Sequence, residues 1–257
     1  MTRLAIITAL LLATGCSRQG GDNEAKPNSA TSAKVSPQVY GVESGTVVLE
    51  STTTVPFFAG KNAVSKTVET RRFTDWGRHE IHESETTQTN PTTKTTTTTK
   101  HTYIYDGLLQ ISLDHEKQTG DQTLLQTRTG VTIDMDSLIQ AEGKQGAKKY
   151  LERHGMELLP DEEVAGVLCQ VIRGKAGKNN ETVMWSHKGI LLKTETRVKL
   201  KSSGNWRVNT STTATSFKHG VAHPPEVFAV PKGFKLSAPM TQQERMKAAQ
   251  DALRQLR

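Results

Sequence analysis

From Gly41 onward the chain consists of short runs rich in Thr, Val and Ile, in which apolar and polar positions alternate and Gly, Asn or Asp interrupt at intervals. Alternation of period two, broken by turn formers, predicts an antiparallel β meander. The candidate strands are residues 44–55, 64–76, 78–88, 95–106, 108–114, 122–129, 164–174, 181–187, 190–201, 206–219 and 227–230. Two reversals are specific: Asp106-Gly107 and Lys188-Gly189 each place a glycine between apolar strands, where a tight hairpin needs positive φ. The Thr-rich stretch Thr86 to Thr102, broken by Asn90-Pro91, predicts a long hairpin with one solvated face, because β-branched Thr suits a pleated strand. A glycosylated stalk is the alternative, but the segment runs directly into Tyr103-Ile104-Tyr105.

Helical signals occur twice. Ser137 is placed to cap a helix reaching toward His154, with Leu138, Ala147, Tyr150 and Leu151 on about one face, Gly143 and Gly146 weakening its middle and Gly155 ending it. Thr241-Gln242-Gln243-Glu244 forms a capping box ahead of Met246, Ala249, Leu253 and Leu256 at helical spacing. So narrow a stripe fits a helix docked on its own sheet or frayed in solvent; a partner-binding helix is the alternative.

Several strands carry large apolar side chains on both faces. Tyr103 and Tyr105 oppose Ile104, Trp185 opposes Met184, and Ile190 and Leu192 oppose Leu191. A sheet apolar on both sides must cover both, and only two helices are available. A curved antiparallel half-barrel of about 10–11 strands, mainly β with a short internal helix and a C-terminal helix, satisfies the pattern by wrapping an apolar cavity. Tyr103, Tyr105, Trp185 and Leu192 are the candidate lining residues.

The first residues follow a different logic. Met1-Thr2-Arg3, an apolar run from Leu4 to Leu12 and the small residues Ala13-Thr14-Gly15 describe a secretory signal, too short to span a bilayer as a mature helix. The run Leu12-Ala13-Thr14-Gly15-Cys16 resembles the lipobox of bacterial lipoproteins, with Ala13 where that pattern prefers Leu. The resemblance implies an acylated Cys16 as the mature N-terminus and a membrane contact through several acyl chains, which together anchor stably. Ser17, where Asp often marks inner-membrane retention in that family, points to the outer membrane. Residues 17–40 are Gly, Asn, Ser, Ala, Lys and Pro with almost no large apolar side chain, a flexible tether. The expected organisation is therefore signal 1–15, lipid-anchored tether 16–40, β domain 41–238 and C-terminal helix 239–257.

Composition narrows the function. With 257 residues, 34% hydrophobic positions and two cysteines, the chain is neither a multispanning membrane protein nor a disulfide-stapled scaffold. Once Cys16 is acylated, Cys169 has no partner; sharing a strand face with Val167 and Val171, it is expected to be a small core residue. The 33 Lys and Arg outnumber the 26 Asp and Glu, and Lys193, Arg197, Lys199, Lys201 and Arg207 fall in consecutive strands with only Glu195 against them. That basic region is either a solvated face or a contact for an anionic membrane surface or envelope polymer; nucleic acid is not expected, because no stacking aromatics accompany it. His79 and His82 point to opposite faces of one strand, and His219 and His223 lack a neighbouring carboxylate or cysteine, so no metal site is expected. There is no Gly-x-Ser-x-Gly elbow and no phosphate-cradling glycine loop, and neither Asp134/Asp136 nor Glu162/Glu163 is spaced as a pair across a substrate. The expectation is a protein without enzymatic activity or cofactor.

One resemblance sharpens it. Tyr103 to Gly107 with Ile111 and Leu113, Glu163-Val164-Ala165-Gly166 followed by Cys169, the run Trp185 to Lys193, and Val227-Phe228-Ala229-Val230-Pro231 occur in an order that resembles the LolA/LolB-like superfamily of periplasmic lipid and lipoprotein carriers, over about residues 45–236. The resemblance implies an incomplete antiparallel barrel with a hydrophobic concave face, and carries no catalytic residue. A lipid anchor of its own separates this chain from the soluble carriers, so it implies a tethered receiver, sensor or local lipid binder. The alternative expectation is an interaction module presenting its basic sheet face or C-terminal helix to an envelope protein or polyanion.

Overall fold

A computed structural model describes residues 38–56, 62–126, 135–175, 177–200 and 204–255. Cys16, the signal, residues 16–37 of the tether, Lys201 and Leu256 lie outside them. In chain order the elements are β1 (Gly45–Pro56), β2 (Asn62–Thr74), β3 (His79–Thr89), β4 (Thr96–Asp106), β5 (Leu109–Asp114), β6 (Thr119–Leu124), α1 (Met135–Arg153), β7 (Met156–Val164), β8 (Val167–Lys175), β9 (Asn180–His187), β10 (Ile190–Lys199), β11 (Trp206–His219), β12 (Lys235–Leu236), β13 (Met240–Thr241) and α2 (Gln242–Gln255).

The thirteen strands form one large, curved, open and mainly antiparallel sheet, ordered β12-β6-β5-β4-β3-β2-β1-β11-β10-β9-β8-β7, with β13 also on β6. The topology follows from short connections. The chain walks outward from β1 to β6, crosses by way of α1 to the opposite edge at β7, and walks back inward until β11 pairs with β1, Gly45 opposite His219. Both expected hairpins are present. Lys188 and Gly189 take φ values of 48° and 79° between the paired His187 and Ile190, and Gly107 takes 58° between Asp106 and Leu109. The Thr-rich segment is the β3–β4 hairpin, with Thr89 opposite Thr96; at its tip the Asn90 side chain accepts from the amides of Thr92 and Thr93.

Three expectations are corrected. Residues 227–230 do not form a strand. Pro224 and Pro225 instead start a 3-10 turn at Pro225–Phe228, and Val227, Phe228, Val230 and Phe234 lie over Ile81, Ile104, Ile111 and Leu113 as a cover. β7 has no counterpart among the expected strands; as an edge strand it tolerates Pro160, and a register shift between Leu159 and Glu162 absorbs it. The strand expected from Val164 begins at Val167, since Ala165-Gly166 turn the chain between β7 and β8 with φ values of 51° and 80°.

Three apolar clusters hold the sheet. The largest joins Val47, Leu49 and Phe73 to Val171, Val183, Trp185 and Leu192, with Cys169 wholly buried among them. Burial pushes the Cys169 thiol up to about 11, as an inert core residue requires. The second lies under the Pro225–Phe228 turn, and the third joins Ala147 and Leu151 of α1 to Ile172. α1 breaks its helical path at Gly143, where φ is 69°. α2 is tied to β6 by Arg245, which donates to Thr123 Oγ1 and Asp121 Oδ2, each at 2.6 Å.

Candidate functional site

α1 meets the sheet through its last turns, and Leu138 and Ile139 near its start pack against the same cluster. Ala147 and Leu151 are one helical turn apart, so they share a face, and that face meets Ile172 of β8 with Met156 and Met184 beside it. Beside this contact opens a cleft of about 900 Å³, lined on its apolar side by Ile139, Ala147, Leu151, Met156 and Leu158. Lys148, Glu152, Glu157, Arg173 and Lys175 supply its charged walls. Size and composition are those of a small-molecule site, largely apolar with a few placed polar groups. Arg173 Nη2 donates to Glu157 Oε2 at 2.6 Å; this bond raises the guanidinium above its ordinary range and lowers the Glu157 carboxyl below its own. Arg173 Nε is buried and makes no hydrogen bond, which leaves a charge-bearing donor unspent on the cleft wall.

The residues expected to line a cavity are dispersed. Trp185 is closed into the largest core cluster, and its indole N–H donates to Glu162 Oε2 at 2.7 Å. Leu192 is buried in the same cluster and borders a smaller cavity of about 250 Å³. Tyr103 borders an open groove of about 910 Å³ across β4–β6 whose walls are mostly threonines and charged side chains, among them Lys100, Asp114 and Lys117. The Tyr105 ring lies 5.3 Å from that of His82. None of the four lines the cleft at α1. The cleft residues Met156 and Leu158 belong to β7, and only the i, i+4 spacing of Ala147 and Leu151 signalled them in advance.

The basic region is divided and largely neutralised. Lys193 Nζ sits 4.0 Å over the Trp185 ring and 3.2 Å from Glu195. Arg197 binds Glu195 at 2.5 Å and Glu181 at 3.4 Å. Burial alone would raise the Glu195 carboxyl, but bonds from Arg197 and Lys193 outweigh it and hold the group below its ordinary range. Arg207 pairs with Val198, the neighbour of Arg197, so Arg197 and Arg207 leave the sheet on opposite faces; Lys199 stands opposite Trp206.

A polar group that the sequence did not signal lies between β2, β3 and the residues leading into β1. Glu80 is only 2% exposed and accepts from the Tyr40 hydroxyl at 2.8 Å. His82 Nε2 lies 2.7 Å from Glu80 but is not aligned for a hydrogen bond; its Nδ1 is 3.5 Å from Glu69, which also binds Arg71. Burial pulls the Arg71 guanidinium down, yet Glu69, with Tyr40 and Glu80 behind it, more than restores it. Arg71 and His82 thus stand against the carboxylates of Glu69 and Glu80, with the Tyr40 hydroxyl donating to Glu80. His79 turns instead to Asp106 at 3.1 Å, and His223 lies 3.1 Å from both Thr46 Oγ1 and the Gly45 carbonyl. Among the described residues no three His, Cys, Asp or Glu side chains converge as a metal site would need.

No family model matches the chain, and no curated protein matches it. Solved structures give weak likenesses. An uncharacterised conserved protein from Thermus thermophilus superposes with a TM-score of 0.43 at 7% identity, covering 78% of this chain and 92% of that one. MucB in the Pseudomonas aeruginosa MucA/MucB complex gives a TM-score of 0.34 at 10% identity over 75% of this chain, which spans 58% of it. LprF from Mycobacterium bovis gives 0.25 at 12% identity, over 72% and 89% of the two chains. No helix among the described residues is long and apolar enough to cross a membrane.

Proposed function

We propose that the protein is a lipid-anchored envelope protein that holds an acyl chain, or an apolar ligand of similar shape, in the cleft between α1 and β7–β8, without chemistry of its own. The supporting observation is the cleft: about 900 Å³, an apolar wall from both helix and sheet, and Lys148, Arg173 and Lys175 where a polar end would emerge. Acylated Cys16 would keep this site at a membrane, the outer one in preference, where such ligands are concentrated. Docking through a basic sheet face finds less support, since Lys193 and Arg197 are already paired and Arg207 lies on the other face.

Native mass spectrometry of the chain carrying Cys16→Ser, incubated with a fluorescent fatty acid, tests the proposal. One bound lipid is expected. Leu158→Glu, which places a carboxylate on a half-open wall of the cleft without touching the core, is expected to weaken probe binding at least about tenfold, the cost of one unfavourable buried charge being above 1.4 kcal/mol. A consistently empty protein that ignores the probe would remove the reading.

A further inference from the structure

The cavity bordered by Leu192 is built differently from the cleft at α1. It lies on the sheet itself, across β2, β1, β11 and β10, and its floor is a single row of hydroxyls. Thr67 stands opposite Ser51, Ser51 opposite Thr212, and Thr212 opposite Thr194, so four directly paired positions on four adjacent strands share one face. The row is hydrogen-bonded in pairs: Thr212 donates to Ser51 at 2.9 Å, and Thr67 bonds Thr86 on the next strand at 2.8 Å. Thr194 ends the row, and its Oγ1 is buried with no hydrogen bond. A buried hydroxyl without a partner is unfavourable, and it borders this cavity.

The other walls define what would satisfy it. Glu69 and Arg71 face the cavity as a matched pair, and Lys193 is engaged by Trp185 and Glu195, so no net charge is offered. At about 250 Å³ the space falls just below the ~300 Å³ at which sites for drug-sized ligands begin. We propose that this cavity binds one uncharged, polyhydroxylated molecule the size of a hexose ring, with its hydroxyls on Thr194, Ser51, Thr212 and the Glu69–Arg71 pair. The site is separate from the cleft at α1, and neither depends on the other.

Ligand-observed NMR on the full chain with glucose, N-acetylglucosamine and glucose 6-phosphate tests it. At least one neutral sugar binds at about 10 mM or below, and the phosphate ester, which must shed its hydration where every cation is already paired, binds at least tenfold more weakly. Thr194→Val keeps the side-chain shape and removes the hydroxyl. It weakens the sugar about fivefold, the worth of one hydrogen bond, while the thermal midpoint stays level or rises because an unsatisfied polar group has gone. The proposal is overturned if neither neutral sugar binds, if the phosphate ester binds more tightly than glucose, or if Thr194→Val leaves sugar affinity unchanged.

Discussion

Glu195 shows how individual side chains decide the character of this sheet. In the sequence it is a lone acid among five bases, and counting charges made the region a basic patch; in three dimensions one carboxylate serves both Lys193 and Arg197. Residue spacing reveals which strand a charge is on, but not whether its neighbour across the ladder neutralises it. The pair has a pH signature. Because the native carboxyl titrates below the ordinary carboxylate range, its contribution is fully present above that range and is lost as pH falls through the depressed native value. Glu195→Gln therefore lowers stability at pH 7 by no more than about 1 kcal/mol, given partial solvation, or a thermal midpoint about 2–4 °C lower. The two midpoints converge as pH falls through that depressed value; a gap that persists in acid, or widens, contradicts the assignment.

Elements were legible where the signal is local. The capping box at Thr241 is present as written: Glu244 N donates to Thr241 Oγ1 at 3.2 Å, and Thr241 N donates back to Glu244 Oε2 at 2.7 Å. The glycine reversals and the Thr-rich hairpin were equally plain, since a turn is specified by the residues that make it. β7 was hidden because its edge position, its bulge and its tolerance of Pro160 all depend on β8. Val227-Phe228 was misassigned for the complementary reason: an apolar run states that it will be buried, not whether it pairs or covers. Since α2 is held by its cap and by Arg245, with Met246 58% exposed, the cap should matter to that helix alone. Thr241→Ala is expected to speed amide exchange in α2 about fivefold and to leave β1–β4 unchanged, measured by hydrogen–deuterium exchange. An unaltered α2 would mean that Arg245 alone sets its stability.

At the scale of the molecule, the pairing of β1 with β11 and the placement of α1 are long-range facts that no local window contains, and the candidate cleft depends on both. Of the four aromatic and aliphatic residues chosen from two-faced strands, Trp185 and Leu192 are buried in the core around Val47 and Phe73, whereas Tyr103 and Tyr105 are only half-buried. The cleft proposed for an acyl chain lies at the seam under α1, whose cluster of Ala147, Leu151 and Ile172 is separate from the core around Val47, Phe73 and Trp185. A helix interrupted at Gly143 and fastened by one small cluster can lift without disturbing the rest of the sheet. Leu151→Ala removes the largest buried side chain of that fastening, a change worth about 2–5 kcal/mol in a rigid core. Exchange in the last turns of α1 is then expected to accelerate about thirtyfold or more, while amides of β1–β3 and β9–β11 keep their protection. Acceleration spread evenly over helix and sheet would show that α1 unfolds only with the whole molecule, and would make the cleft a fixed seam through which no acyl chain could enter by helix displacement.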